Sequence, residues 1–265
     1  MTASDQVRVE IAPGVLIPMI GFGTWDVRPP DTYGAVRVAL DAGYRHIDTA
    51  YGYGNEGDIG KALQDSGIPR DEVFLTTKIP SRRVGFEEET VANSLKLLQT
   101  DYVDLWLIHD PPEGEKSERL WEFLIGVRDR GNARTIGVSN YSTKQIDAVI
   151  KATGVTPAVN QIKWTPALFD RERLQENRDR GIQLEGFSAI RLTDLGDPGL
   201  LRIAAAHGVT TAQVLLRWHI DHGVIALPRS IKPERIQANL DVWNFNLSEP
   251  ELAVIDAMST VGQPA

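Results

Sequence analysis

The chain has 265 residues, 42% of them hydrophobic and 24% charged, with 28 basic against 36 acidic side chains and no cysteine. At roughly 100–200 residues per domain this length admits one or two domains, and the apolar share excludes a disordered or fibrous chain. The net charge of −8 opposes bulk affinity for nucleic acid or an anionic membrane, and the lack of cysteine excludes disulfides, thiolate metal ligands and a cysteine nucleophile.

The opening MTASDQVRVE lacks the basic-then-apolar order of a secretory signal, and no apolar run approaches the ~20 residues of a membrane span, so a cytoplasmic protein is expected. Residues 7–11 alternate apolar and polar side chains, Ala12–Pro13–Gly14 turns, and Val15–Ile17 follows, which predicts a β-hairpin. Short apolar runs then alternate with longer amphipathic stretches. Strands are predicted at Met19–Phe22, Arg45–Asp48, Val73–Thr77 and Val103–Ile108, each followed by a helix: Asp31–Ala42, Glu56–Ser66, Glu87–Leu98 and Ser117–Arg130. The alternation continues with strands at Thr135–Val138, Ala158–Ile162, Gln183–Phe187 and Val224–Leu227. Their helices are Thr143–Ala152, Asp170–Arg180, the pair Pro198–His207 and Thr210–Asp221, and Pro233–Leu240. Ser142 and Gln145 have capping-box spacing, and Pro233 falls at a first helical position, where its missing N–H is not needed.

Strands that alternate with helices pair in parallel through crossovers, and eight such units in about 250 residues fit a closed (β/α)8 barrel. No linker rich in Pro, Ser or charge divides the chain, so residues 1–265 are expected to form a single domain. No coiled-coil pattern or unusual apolar tail demands a partner chain, and a monomer is the expectation.

In such a barrel the chemistry sits at strand C-terminal ends and the loops after them. There the sequence places Asp48 and Tyr53 after the second strand, Lys78 at the end of the third and His109 after the fourth. A lone Lys or His at a strand end is ordinarily a solvated or structural residue. Four such residues on consecutive strand ends are a stronger signal. A tyrosine hydroxyl beside an ammonium has its phenolate favoured, an Asp holds that ammonium charged, and a His can donate to a carbonyl oxygen. The set suits proton delivery to an oxygen becoming an alkoxide, and the accompanying hydride must come from a cofactor.

The segments GFGTW (21–25), GYRHIDTAYGYGNE (43–56), FLTTK (74–78), VDLWLIHDP (103–111), IGVSN (136–140), NQIKW (160–164) and IALPRSIKPERIQANL (225–240) resemble the aldo-keto reductases, in order and over nearly the whole chain. The resemblance implies a (β/α)8 barrel and reversible NAD(P)H-dependent reduction of aldehydes and ketones. It implies Tyr53 as general acid with Asp48, Lys78 and His109, and assigns the rival Tyr51 to the substrate-facing loop. It also implies cofactor contacts from Thr24, Ser139, Asn140, Gln161, Phe187, Ser188, Arg229, Ser230, Arg235 and Asn239, with Phe187 stacking on the nicotinamide. Trp25, Tyr51, Asp110 and Trp164 are the expected pocket walls. Independently of family, Arg229, Lys232 and Arg235 set three cations against Glu234 beside the helix start at Pro233, a phosphate site that favours NADPH over NADH.

The chain departs from the family pattern at Ala238, before the adenine-contacting Asn239, where one adenine contact is lost, and at Asp110 and along Lys163–Trp164–Thr165, which border the expected substrate mouth and give it a polarity of its own. Its end soon after Met258 suggests an open pocket. Three other readings compete. The run Gly52–Gly57 matches G-x-G-x-x-G, but its preceding strand is too polar for a central Rossmann strand and the match would absorb Tyr53. A metal-dependent barrel hydrolase using His46 and Asp48, completed by His109–Asp110, leaves Lys78, Tyr53 and the basic cluster without a role, and no metal is expected. A nucleotide-sensing module on the same fold would leave the four-residue set silent.

Overall fold

The computed structural model describes residues 7–28, 30–114 and 116–261; the terminal residues on which expectations about the chain ends rest lie outside this range. Strands β1 (Arg8–Ala12) and β2 (Val15–Pro18) form the hairpin, antiparallel as expected. Strands β3 (Phe22–Gly23), β4 (His46–Asp48), β5 (Phe74–Ile79), β6 (Val103–Ile108), β7 (Ala133–Ser139), β8 (Val159–Lys163), β9 (Gln183–Phe187) and β10 (Ile225–Leu227) follow one another in one parallel sheet.

The sheet curls into a barrel whose seam lies between its first and last strands. Ala226 N–H donates to Met19 O at 3.0 Å and Gly21 N–H to Ala226 O at 2.9 Å, forming the parallel Ile20–Ala226 bridge. The first strand is thus shared: residues 19–21 pair with β10, and Phe22–Gly23 with β4. This is why β3 is shorter and later than the apolar run Met19–Phe22 predicts.

Helices α1 (Asp31–Ala42), α2 (Glu56–Ser66), α3 (Glu87–Leu98), α4 (Lys116–Asp129), α5 (Thr143–Thr153), α6 (Arg171–Asp179), α7 (Pro198–His207), α8 (Thr211–Asp221) and α9 (Pro233–Leu240) match the predicted set to within a residue or two. Ser142 and Gln145 form the expected capping box on α5, and Pro233 opens α9. One helix was not anticipated, α10 (Glu249–Asp256). Its start carries the same signature, a box between Ser248 and Glu251.

Ile11 and Ile17 of the hairpin pack with Phe74, Leu105, Ala158 and Ile225 in one apolar cluster. The hairpin therefore covers the N-terminal end of the barrel, opposite the C-terminal rim. The loop carrying Tyr53 leads directly into α2, which lies so close to α3 that a Cβ on Gly60 would sit 2.3 Å from Leu97 O. The neighbour there is backbone. Gly60→Ala is expected to destabilise by about 1–3 kcal/mol, seen as a lower thermal midpoint by circular dichroism. An unchanged midpoint would show that α2 and α3 can separate freely.

Candidate active site

Successive side chains on a strand point to opposite faces. His46 and Asp48 on β4, Thr76 and Lys78 on β5, Gln161 on β8 and Glu185 on β9 are all buried and are linked to one another by side-chain contacts within the barrel. Lys78 lies at the centre, 1% exposed. Its Nζ donates to Asp48 Oδ1 at 2.7 Å and Oδ2 at 2.8 Å, to Thr49 O at 2.7 Å and to Tyr53 Oη at 3.4 Å. An ammonium has three protons and no acceptor, so Asp48, Thr49 and Tyr53 account for all of them. Because the Tyr53 oxygen accepts from Lys78, its own O–H has no acceptor among the described residues and is available to the cavity. The His109 ring packs edge-on against Tyr53 at 5.5 Å between centroids, and its nitrogens likewise have no partner among the described residues.

Burial pulls the Lys78 ammonium down, but the adjoining Asp48 carboxylate and Tyr53 outweigh it and hold Lys78 above the ordinary lysine range. Burial raises the Tyr53 phenol, and Lys78 only limits that rise. The sequence-based expectation of a net-lowered phenol is therefore corrected, because desolvation of the phenolate is the larger effect. The resting side chain keeps its proton, as a donor must. His109 is pushed down to about 4, first by burial and then by the charge of Lys78, so at neutral pH it offers a neutral imidazole. Glu56, behind the site, accepts from Thr77 at 2.6 Å and Ser94 at 2.9 Å and ties α2 and α3 to β5.

Above this cluster opens a cavity of about 310 Å³. Asp48, Tyr53 and His109 form part of its wall, together with Ser139, Asn140, Gln161, Phe187, Ser188, Trp25 and Arg229. These are strand ends and the residues just after them, as barrel geometry requires. Asn140 and Ser188 adopt positive φ, 64° and 67°. Asn140 Nδ2 donates to His109 O at 3.2 Å and to Ser139 Oγ at 3.0 Å, which links the C-terminal ends of β6 and β7. Gln161 Nε2 donates to Asp48 Oδ1 at 2.8 Å. A flat ring fits the residues present: Phe187 offers an aromatic face, Gly23 and Gly186 leave the wall without side chains, and Ser139, Asn140 and Gln161 offer hydrogen bonds. On the outer rim Arg229 pairs with Asp26 at 3.1 Å, an acid the sequence pattern did not connect to it. Lys232 and Arg235 have no acidic partner among the described residues, Ser230 Oγ accepts from the Lys232 N–H at 3.1 Å, and Asn239 is buried on α9.

Several expected site residues lie elsewhere. Trp164 is fully buried and stacks on Trp218 at 6.0 Å between centroids, so it is core rather than pocket wall. The apolar face it occupies follows from its position one residue past β8. Asp110 is held by the Ser81 hydroxyl and does not border the cavity, and Tyr51 turns outward toward Arg83, 5.5 Å from its ring. Thr24 is fully buried, and its hydroxyl donates to Asp48 O at 2.9 Å, where it supports the strand end instead of meeting a ligand. Two residues that sequence reasoning passed over do border or support the site. Arg191 lines the cavity and lies 5.1 Å from the Trp25 ring, and Glu185 accepts from Gln161 at 2.9 Å. Glu185 could have been found by period: it lies two residues before Phe187 on the same strand. Among the described residues no three His, Asp or Glu side chains converge as a metal ligand set.

The sequence pattern of the Aldo/keto reductase family matches residues 19–193 and 191–260. An aldo-keto reductase of Mycolicibacterium smegmatis is 42% identical over 257 residues, covering 96% of this chain and 94% of its own. The crystal structure of an aldo/keto reductase from Brucella melitensis superposes with a TM-score of 0.91 at 40% identity, covering 96% of this chain and 99% of that one. That of a Bombyx mori aldo-keto reductase in complex with NADP does so with a TM-score of 0.88 at 30% identity, covering 96% and 93%.

Proposed function

The chain belongs to the aldo/keto reductase family and is an NAD(P)H-dependent oxidoreductase of carbonyl groups, and from that premise we propose that it reduces small aldehydes or ketones to alcohols with NADPH, Tyr53 being the general acid. The observation that carries this reading is the arrangement around Lys78, whose ammonium touches both Asp48 and the hydroxyl of Tyr53 at the base of the cavity. The reduced nicotinamide, when bound, supplies a hydride to the carbonyl carbon.

The residues of the chain do the rest. Ser139, Asn140 and Gln161 hold the carboxamide, and Phe187 and Ser188 bound the ring plane. His109, neutral, donates one hydrogen bond to the carbonyl oxygen and orients it toward Tyr53. As negative charge develops on that oxygen, Tyr53 gives up its proton. Lys78 is attracted more strongly to the forming phenolate than to the phenol, so the interaction grows along the reaction and lowers the barrier. Asp48 keeps Lys78 charged and in place.

Preference for NADPH over NADH rests on Arg235 and Lys232 at the start of α9, with Arg229 and Ser230 before it; the NADP complex of the Bombyx mori enzyme supports it by analogy. A guanidinium–phosphate contact contributes roughly 1.5–3 kcal/mol, or about 10–100-fold in affinity. Arg235→Ala is therefore expected to weaken NADPH binding by about tenfold or more and leave NADH within about twofold. Equal weakening of both would remove the 2′-phosphate role.

The function itself is tested by loss of NADPH absorbance with a panel of aldehydes and ketones, and by identification of the alcohol formed. A folded protein that binds NADPH yet turns over no carbonyl would overturn the proposal in favour of a sensing module.

A further inference from the structure

Gln161 and Glu185 stand opposite each other in the register of β8 and β9. The single nitrogen Nε2 of Gln161 donates to Asp48 Oδ1 at 2.8 Å and to Glu185 Oε2 at 2.9 Å. A primary amide has two N–H bonds, so both are committed inward. Gln161 Oε1 accepts no hydrogen bond among the described residues and is left as the amide atom available to the cavity that Gln161 lines.

The Glu185 carboxyl has no other evident task. It is fully buried, and its second oxygen, Oε1, has no hydrogen-bond partner among the described residues. His46 Nε2 lies 3.8 Å away, too far for a hydrogen bond, and burial holds that imidazole down at about 3, so it carries no charge to pair with. The residue paired with Glu185 from β10 is Ile225. Burial and the nearby Asp48 carboxylate push Glu185 up to about 8. At neutral pH it accepts from Gln161 mainly as the uncharged acid and adds no second negative charge to the Lys78–Asp48 pair. A buried acid with one committed and one orphaned oxygen costs stability, and the contact it does make is with the cavity wall.

We infer that Glu185 is a positioning residue: by holding the N–H groups of Gln161 inward, together with Asp48, it makes the amide oxygen the atom offered to the cavity, so that the bound ring is selected for a substituent carrying an N–H donor. This rests on the reading that the cavity receives NAD(P)H. Without Glu185 one N–H of Gln161 is unpaired, the amide can turn, and donor and acceptor compete for the same ligand.

The test compares NADP⁺ with its 3-acetylpyridine analogue, whose acetyl group keeps the carbonyl but lacks the N–H, by the quench of intrinsic fluorescence. One net hydrogen bond is worth about fivefold or more in affinity. Wild type is expected to favour NADP⁺ by that factor. Glu185→Met, similar in volume and apolar, should lose most of the preference by weakening NADP⁺ alone. Glu185→Gln keeps an acceptor oxygen at the same reach and should retain it. Equal preference in wild type and Glu185→Met, or equal weakening of both ligands as lost packing would produce, overturns the inference. Collapse of the preference in a folded Glu185→Gln does so too, whether or not the Met variant folds. A wild-type protein that binds neither dinucleotide would overturn the cofactor reading and this role with it, and is told apart because it appears without any substitution.

Discussion

Tyr53→Phe should lower kcat by about 10²–10⁴-fold, the usual worth of a positioned general acid, while NADPH dissociation stays within about threefold. The substitution removes one oxygen and nothing else. The Phe ring keeps the edge-on contact that Tyr53 makes with His109 at 5.5 Å and its place beneath the Lys78 ammonium, 5.1 Å from the centroid. Lys78 loses its longest hydrogen bond, at 3.4 Å, and retains Asp48 and Thr49. Fold and cofactor site are therefore preserved, and the missing component is the proton. Stopped-flow rates together with fluorescence titration of NADPH separate the two effects. A variant with near-native turnover would transfer the acid role to another group, and one that no longer bound NADPH would place Tyr53 in the cofactor site instead.

The largest stability effect is expected at Lys78. Lys78→Met leaves the Asp48 carboxylate, 4% exposed, with Gln161 as its one side-chain donor among the described residues. Breaking one side of a buried pair typically costs about 3–5 kcal/mol, because the remaining charge is desolvated without compensation. Turnover should also fall by at least about 10²-fold, since nothing then stabilises the forming phenolate. The double variant Asp48→Asn with Lys78→Met removes both charges and should regain most of the stability but none of the activity. Denaturant midpoints and kcat measured on the wild type and on the single and double variants test this directly, and a double variant as unstable as the single one would show that the pair is not the source of the loss. The folded lysine is raised above its ordinary 10.5, so it binds its proton more tightly than the unfolded chain does. Its stabilisation is fully present below about 10.5 and fades as pH rises through the folded value.

The alternation of apolar runs and amphipathic stretches carried the architecture almost completely. Strand and helix patterns repeat with periods of 2 and 3.6 residues, and eight repeats leave few ways to bury both faces of a parallel sheet. The departures are local. Residues 19–21 belong to the seam, where pairing partners are distant in sequence, and α10 was overlooked although its Ser248–Glu251 box is a local signal. The set Asp48, Tyr53, Lys78 and His109 was legible because strand C-terminal ends are recognisable one at a time and a barrel collects them on one rim.

Local pattern alone was insufficient where a residue's role depends on what meets it across the barrel. Trp164 and Asp110 each follow a strand, yet one turns into the core against Trp218 and the other is held by Ser81. Arg229 reads as a free cation in its own segment and is paired with Asp26, 203 positions away. Glu185 reads as one polar residue in an apolar run, and only the closed barrel brings it to Gln161 and, through it, to Asp48. Composition, length and periodicity by themselves determined that this is a parallel barrel with Asp48, Tyr53, Lys78 and His109 on its rim and no cysteine chemistry. The balance of charge within that barrel was decided only by the tertiary structure. Desolvation depends on everything that surrounds a group, so burial, which raises Tyr53 despite Lys78 and keeps Glu185 largely neutral, appears only once the strands are assembled.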